Sequence, residues 1–357
     1  MIKYLGSKRR LVPTLTELFV RSGAHTALDL FTGTTRVAQA FKRAGGEVTA
    51  VDTARYAKVF GDTFIALDGS RIGRELDDEI DRLNSLPGID GYVTETFCRQ
   101  SRFFQLHNGQ RIDAIREAIE RDHPTGPLRP VLLTSLLLAA DKVDSTTGIQ
   151  MAYVKKWAPR SYRDLTLRRP DLIAGSGHAQ CSDAIDYVTS TQTSFDLAYL
   201  DPPYNQHRYV ANYHVWETLV ANDQPEHYGV ACKRVDIRDE ATHSVFNRKR
   251  EMPAALGRAI DAVRAEVVIV SYNDESWISL DELVTMCSPH GHVAVLGFDS
   301  ARYVGARIGI HSPTGERVGT VGRTRNLEYV IVAGDRDRVE HMVKPYSDQR
   351  IAATITS

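Results

Sequence analysis

The stretch from Thr26 to Asp52 constrains the fold more than any other. TALDLF (26–31) is a short apolar run suited to a strand, and Gly33 follows in a turn. TRVAQAFKRAG then carries apolar residues at helical spacing and stops at Gly45-Gly46, and EVTAVD supplies a second strand ending in Asp52. Strand, glycine turn, helix, strand and acid, in that order, are the opening unit of a nucleotide-binding α/β fold, which binds ligands where its strands end.

Strand signals return at FDLAYL (195–200), EVVIVSY (266–272), HVAVLGF (292–298) and NLEYVIV (326–332), with a helical MPAALGRAIDAVRA before the second. From Arg55 to about Arg169 the period is helical instead, through ELDDEIDRLNSL, RIDAIREAIERD and VLLTSLLLAADKV. The pattern predicts an α/β domain over 1–55 and 170–340, interrupted by a mainly α-helical insertion over 56–169 and followed by a loose tail over 341–357. Within it, 303–323 reads as a hairpin turning at Ser312-Pro313-Thr314-Gly315.

The longest apolar run, Val131 to Ala140, is broken by Thr and Ser and ends at Asp141 and Lys142, so it predicts a buried helix and not a membrane span. The basic N-terminus has no apolar segment after it, which predicts a cytoplasmic protein. Cys98, Cys181, Cys232 and Cys287 are far apart and form no CxxC pair, so no metal site is expected. Net charge is only -1, yet cations cluster: Lys3, Lys8, Arg9 and Arg10; Lys155, Lys156, Arg160, Arg163, Arg168 and Arg169; Arg248, Lys249 and Arg250; Arg302, Arg307, Arg317, Arg323 and Arg325. Such clusters serve a nucleic acid if the fold presents them together.

LAYLDPPYNQ (197–206) carries the chemistry. A strand emptying into Asp201-Pro202-Pro203-Tyr204 places an acid at the carboxyl edge of a sheet, and the prolines stiffen the backbone beyond it. The Asp201 carboxylate and a carbonyl free of any N–H competitor are then two fixed acceptors, suited to an amino group. Tyr204 adds a flat face on which a planar base stacks, worth about 1 to 3 kcal/mol. A structural turn with a capping acid is the alternative reading of the tetrapeptide.

These motifs, with KYLGSK (3–8), DLFTGTTRVA (29–38), FFQLHNGQRIDAIREAI (103–119), AADKVDSTTGIQMAYVKKW (139–157), CSDA (181–184), DPPYNQHRYVANYH (201–214), SVFNRKR (244–250) and SYND (271–274), occur in one order over nearly the whole chain. In that order the chain resembles the Dam-like adenine-specific DNA methyltransferases. The resemblance implies a Rossmann-like methyltransferase sheet with an inserted target-recognition domain, S-adenosylmethionine as cofactor, and methylation of the 6-amino group of a flipped adenine in double-stranded DNA. It implies that Tyr4, Lys8, Asp29, Phe31, Gly33, Thr34 and Asp201 line the cofactor pocket, that Asp52 takes the ribose hydroxyls and that Asp183 takes the cofactor's adenine. Asp201 and the Pro202 carbonyl would hold the target amine, with Pro203 stiffening the loop and Tyr204 stacking on the base. One departure stands out: the family's FxGxG is here Phe31-Thr32-Gly33-Thr34-Thr35, with threonine for the second glycine.

Base extrusion from a duplex requires duplex binding. Arg9 and Arg10, the run Lys155, Lys156, Arg160, Arg163, Arg168 and Arg169, and Arg248, Lys249 and Arg250 are the expected phosphate contacts, and the 303–323 hairpin, with Arg307, Arg317 and Arg323, is a candidate to read bases. The expected setting is a nucleoid-associated enzyme of a restriction-modification system, acting apart from any cognate endonuclease. An RNA amino-group methyltransferase and a silent DNA-binding regulator remain as alternatives. A dehydrogenase is disfavoured because no GxGxxG follows the first strand, and cytosine ring methylation because no Pro-Cys pair occurs.

Overall fold

Apolar runs of four or more residues suit strands covered on both faces, and most of the predicted strands have that character. The computed structural model describes residues 2–4, 8–154, 156–203, 208–301, 310–311, 317–319 and 325–352. Its strands are β1 (Thr26–Leu30), β2 (Glu47–Asp52), β3 (His178–Cys181), β4 (Phe195–Leu200), β5 (His227–Tyr228), β6 (Lys233–Arg234), β7 (Ala265–Asn273), β8 (His292–Ala301), β9 (Ile310–His311), β10 (Arg317–Gly319) and β11 (Arg325–Gly334). The chain divides into two compact units: Met1–Val12, Thr32–Asp183 and His207–Ser244 form the first, and Pro13–Phe31, Ala184–Gln206 and Val245–Ser357 the second.

The second unit holds β1, β4, β7, β11 and β8, side by side in that order. β1, β4 and β7 run parallel, and β11 is antiparallel to both β7 and β8. Leu197, Ala198 and Leu200 of β4, Val267–Val270 of β7 and Val330–Ala333 of β11 are wholly inaccessible, which accounts for their unbroken apolar runs. Helices Ala184–Ser190, Met252–Ala262, Leu280–Cys287 and Arg336–Val343 belong to the same unit. A capping box starts the third of them: the Ser279 hydroxyl accepts from the Glu282 N–H, while the Glu282 carboxylate accepts from the Ser279 N–H.

The first unit holds the parallel pair β2 and β3 and the short antiparallel pair β5 and β6. Between Asp52 and His178 the described residues form helices and loops without a strand, as the helical period predicts. Helix Leu128–Val143 packs on helix Leu106–Asp122 and is buried nearly all round, so the Val131 to Ala140 run is a core helix. Two π-helical turns, Asp62–Ala66 and Thr94–Gln100, interrupt the regular helices. Lys42, almost wholly buried, donates to the carbonyls of Ile65 (2.8 Å), Leu67 (2.7 Å) and Phe64 (3.2 Å) around the first π turn.

Three features differ from expectation. The helical stretch 56–169 shares its unit with β2, β3 and residues 207–244, so the compact division does not follow the predicted domain lines. β3 carries the polar sequence HAQC and is largely exposed, so it shows no apolar run from which to predict it. From residue 341 the chain is no loose tail as far as 352: a 3-10 helix spans Lys344–Gln349 and the Ile351 N–H donates to the Val295 carbonyl at 3.0 Å. Most of 303–323 lies outside the described residues; its described pieces, β9 and β10, pair antiparallel with Arg317 opposite His311, as a hairpin requires.

Candidate functional site

In the first unit, the turn after the first strand is built around left-handed residues, Gly33 at φ 53° and Thr35 at φ 59°. Thr32 N–H donates to the Val51 carbonyl at 3.0 Å, which lays the turn beside the end of β2. The Gly33 N–H then donates to Asp52 Oδ2 at 2.8 Å, and Ala54 N–H to Oδ1 at 2.9 Å. Burial pushes the Asp52 carboxyl above its ordinary value, opposed by these backbone donors. A carboxylate braced in this way at a strand end suits vicinal hydroxyls.

Gly33 has a second reason to be glycine. A β-carbon there would come within 3.0 Å of the Tyr4 hydroxyl and Cε1, so the turn passes directly against that ring. Tyr4 stacks on Tyr213 (centroids 4.7 Å, planes 17° apart) and on Tyr209 (5.4 Å, 26°), and meets Tyr56 edge-on. Burial raises the Tyr4 phenol well above its ordinary value, with Tyr56, Asp52 and Tyr209 adding to the effect, so it stays neutral.

Asp183 lies just beyond β3, next to Ser182, whose N–H donates to the Asp52 carbonyl at 3.0 Å. Thr34 and Lys8 are buried, and the Lys8 carbonyl accepts from the N–H groups of Leu11 and Val12. Tyr4, Gly33, Asp52 and Asp183 are thus gathered around the carboxyl ends of β2 and β3. The tyrosines at 56, 209 and 213 went unpredicted, as did Glu217, which accepts from the N–H groups of Arg55 and Tyr56 at the start of helix Arg55–Gly61. A signal was present, because Tyr209, Tyr213 and Glu217 recur every four residues, the spacing of one helical face, although in the structure Tyr213 is a turn between helices Tyr209–Asn212 and His214–Ala221.

In the second unit, Asp201 is the first residue after β4, and its N–H reaches the Leu30 carbonyl at 3.5 Å. The Ser271 hydroxyl donates to Asp201 Oδ1 at 3.1 Å, and the Tyr199 hydroxyl lies 2.7 Å from Ser271 Oγ. Pro202 is buried and Pro203 half-buried, while Tyr204 lies outside the described residues. Asp29 is buried on β1, opposite Tyr199 in the register. Phe31 sits at φ 70°, a strained conformation for a bulky residue, with its ring edge-on to Phe246 at 4.8 Å.

The basic residues divide by unit. Arg9, Arg10 and Lys156 are exposed in the first, and Lys155 lies outside the described residues. Arg160 is tied instead to the buried Asp144 at 2.6 Å, and Arg169 to Asp77 at 2.9 Å, so both take part in internal pairs. In the second unit Lys249 and Arg250 are exposed, and Arg248 lies 3.4 Å from Glu251. Among the described residues no cluster of His, Cys, Asp and Glu could hold a metal, and no helix is long and apolar enough to cross a membrane.

The family pattern for D12 class N6 adenine-specific DNA methyltransferase matches residues 4–286. The chain is similar to type II methyltransferase M.FokI of Planomicrobium okeanokoites, with 27% identity over 314 residues that cover 81% of this chain and 47% of that protein. Type II methyltransferase M.NlaIII of Neisseria lactamica is 28% identical over 295 residues, 79% of this chain and 86% of that one. Type II methyltransferase M.CviAII of Paramecium bursaria Chlorella virus 1 is 27% identical over 315 residues, 85% and 92% of the two chains. The chain therefore spans about half the length of the first relative and most of the other two. It belongs to the D12 class N6 adenine-specific DNA methyltransferase family.

Proposed function

We propose that the protein transfers a methyl group from S-adenosylmethionine to the 6-amino group of adenine at a specific site in duplex DNA, as the modification enzyme of a restriction-modification system. The supporting observation is the Asp201-Pro202-Pro203 run leaving β4, with the Asp201 carboxylate held by a hydrogen bond. Membership of the family and similarity to type II methylases favour adenine and DNA over RNA.

The residues of the first unit fit the cofactor. Asp52, braced by two N–H donors, suits ribose hydroxyls, Asp183 an adenine amine, and the Tyr4–Gly33 contact an approach to the methionine portion. When bound, S-adenosylmethionine supplies a methyl group activated by its positive sulfur. Lys8 and Thr34 complete the first unit's proposed cofactor set; Asp29, Phe31 and Asp201, in the second unit, are cofactor contacts that the family resemblance implies.

Adenine's amine is a weak nucleophile because its lone pair is delocalised into the ring. Asp201 and the Pro202 carbonyl, both acceptors, draw its hydrogens and favour a tetrahedral nitrogen that can attack, so the chain's contribution is positioning and fixed electrostatics. Tyr204 stacks on the extruded base and offsets part of the few kcal/mol that extrusion costs. Arg9, Arg10, Lys155, Lys156 and Arg248–Arg250 contact phosphates, and the helices of 56–169 contribute target recognition. A separate cognate endonuclease would be protected against by the same mark.

The test is methyl transfer from labelled S-adenosylmethionine into unmethylated duplex DNA, with Asp201→Ala alongside and modified adenines mapped by single-molecule sequencing. Label at one short motif, absent with Asp201→Ala, is expected. Label in RNA alone would overturn the DNA reading.

A further inference from the structure

Tyr199 of β4 and Ser271 of β7 place two buried hydroxyls beside Asp201, the first residue after β4. Leu200 is opposite Val270 in the parallel pairing of β4 and β7, so Asp201 and Ser271 are each one residue further on. Tyr199, two residues before Asp201 on the same strand, faces the same side. Ser271 and Tyr199 are almost fully buried.

The direction of the hydrogen bonds follows from counting protons. Ser271 has one, and it goes to Asp201 Oδ1 at 3.1 Å. The 2.7 Å contact with Tyr199 must then be donated by the phenol, giving Tyr199 O–H to Ser271 O–H to carboxylate. Burial and the nearby Asp201, then Asp29 and Glu328, raise the Tyr199 phenol well above its ordinary value, while the bond to Ser271 opposes them. The phenol therefore remains a donor. A valine at 271 would suit a strand interior better than serine, since a buried hydroxyl gains only when its partners are in place.

We propose that Ser271 and Tyr199 are positioning residues for the acceptor carboxylate: the Tyr199 hydroxyl holds that of Ser271, which engages Asp201 Oδ1 and fixes the side chain so that Oδ2 receives the target amine. The proposal rests on Asp201 acting as that acceptor. A carboxylate on a loop otherwise rotates about its terminal torsion, and errors of an ångström in a reacting geometry cost up to about 100-fold in rate.

Ser271→Ala, Ser271→Thr and Tyr199→Phe are compared with the unaltered chain in single-turnover and steady-state methylation of duplex DNA. Calorimetric binding of S-adenosylmethionine and thermal unfolding are measured alongside. Ser271→Ala is expected to lower the single-turnover rate and kcat about 10- to 100-fold, with the DNA KM and cofactor Kd within about twofold. Ser271→Thr, which keeps the hydroxyl, should recover most of the rate. Tyr199→Phe should lose only a few-fold, because Ser271 still donates.

A Ser271→Ala rate within twofold of the unaltered chain would overturn the inference while leaving the proposed function standing. So would a rate loss matched by weaker cofactor binding, or one that Ser271→Thr fails to recover, since either is the mark of a merely structural hydroxyl. An unaltered chain that binds cofactor but methylates no DNA would overturn the functional reading, and this inference with it.

Discussion

Gly33→Ala tests the proposed cofactor cradle where the turn meets Tyr4. Alanine at φ 53° bears the left-handed penalty of about 1 kcal/mol, and its β-carbon arrives 3.0 Å from the Tyr4 ring. Tyr4 must yield by a few tenths of an ångström, against the stacked rings of Tyr209 and Tyr213. Disturbing one such aromatic contact is worth about 1 kcal/mol, which makes the expected loss of cofactor affinity about five- to tenfold. Gly45→Ala is the control, because Gly45 has φ 95° yet its β-carbon would meet nothing within 4 Å. Gly45→Ala should lose about 1 kcal/mol in urea unfolding and Gly33→Ala about 2 kcal/mol, and only Gly33→Ala should bind S-adenosylmethionine more weakly by calorimetry. Equal cofactor affinity in the two variants would refute the argument that the turn and Tyr4 together shape the pocket.

Three other perturbations follow from the structure. Burial pulls the Lys42 ammonium down to about 8 from 10.5. Between those values the unfolded chain holds a proton the folded chain has lost, so stability contributed by Lys42 rises with pH across that window, by at most about 3 kcal/mol. Urea unfolding of the unaltered chain against Lys42→Met at pH 7.5 and 10 should show the unaltered chain gaining, and parallel behaviour would refute it. Arg116, buried, donates to the carbonyls of Leu219 at 2.7 Å and Val220 at 3.2 Å in the last turn of helix His214–Ala221. Arg116→Met should therefore destabilise by about 3 kcal/mol, read from denaturant midpoints. Replacing Arg248, Lys249 and Arg250 by serine should flatten the salt dependence of DNA binding by about 0.9 in log–log slope for each phosphate no longer neutralised; an unchanged slope would remove that segment from the interface.

What the sequence disclosed and what it hid divide along physical lines. β1, β2, β4, β7, β8 and β11 were legible because burial demands apolar runs, whereas β3, an exposed polar strand, presents no such run. Gly33 and Asp52 were legible because a turn and a strand-ending acid leave local marks, and the structure joins them with one hydrogen bond. The pairing of Ser271 with Asp201 spans 70 residues, so it depends on strand register and leaves no local pattern. A basic run does not show which acids its members face: Arg160 and Arg169 pair with Asp144 and Asp77, both outside the run.

The place of β11 has a consequence for assembly during synthesis. It is made after β8, yet stands between β7 and β8 and pairs with both. A nascent chain that has released β8 but not residues 325–334 has no template on which to dock it, so β8 must wait as an unpaired strand, exposed to association with other chains. Ser271 lies opposite Val330 in the β7–β11 pairing, so the hydroxyl beneath Asp201 acquires its final surroundings only with the last strand. Competence for methyl transfer should accordingly appear late, after the earlier parallel strands have already formed.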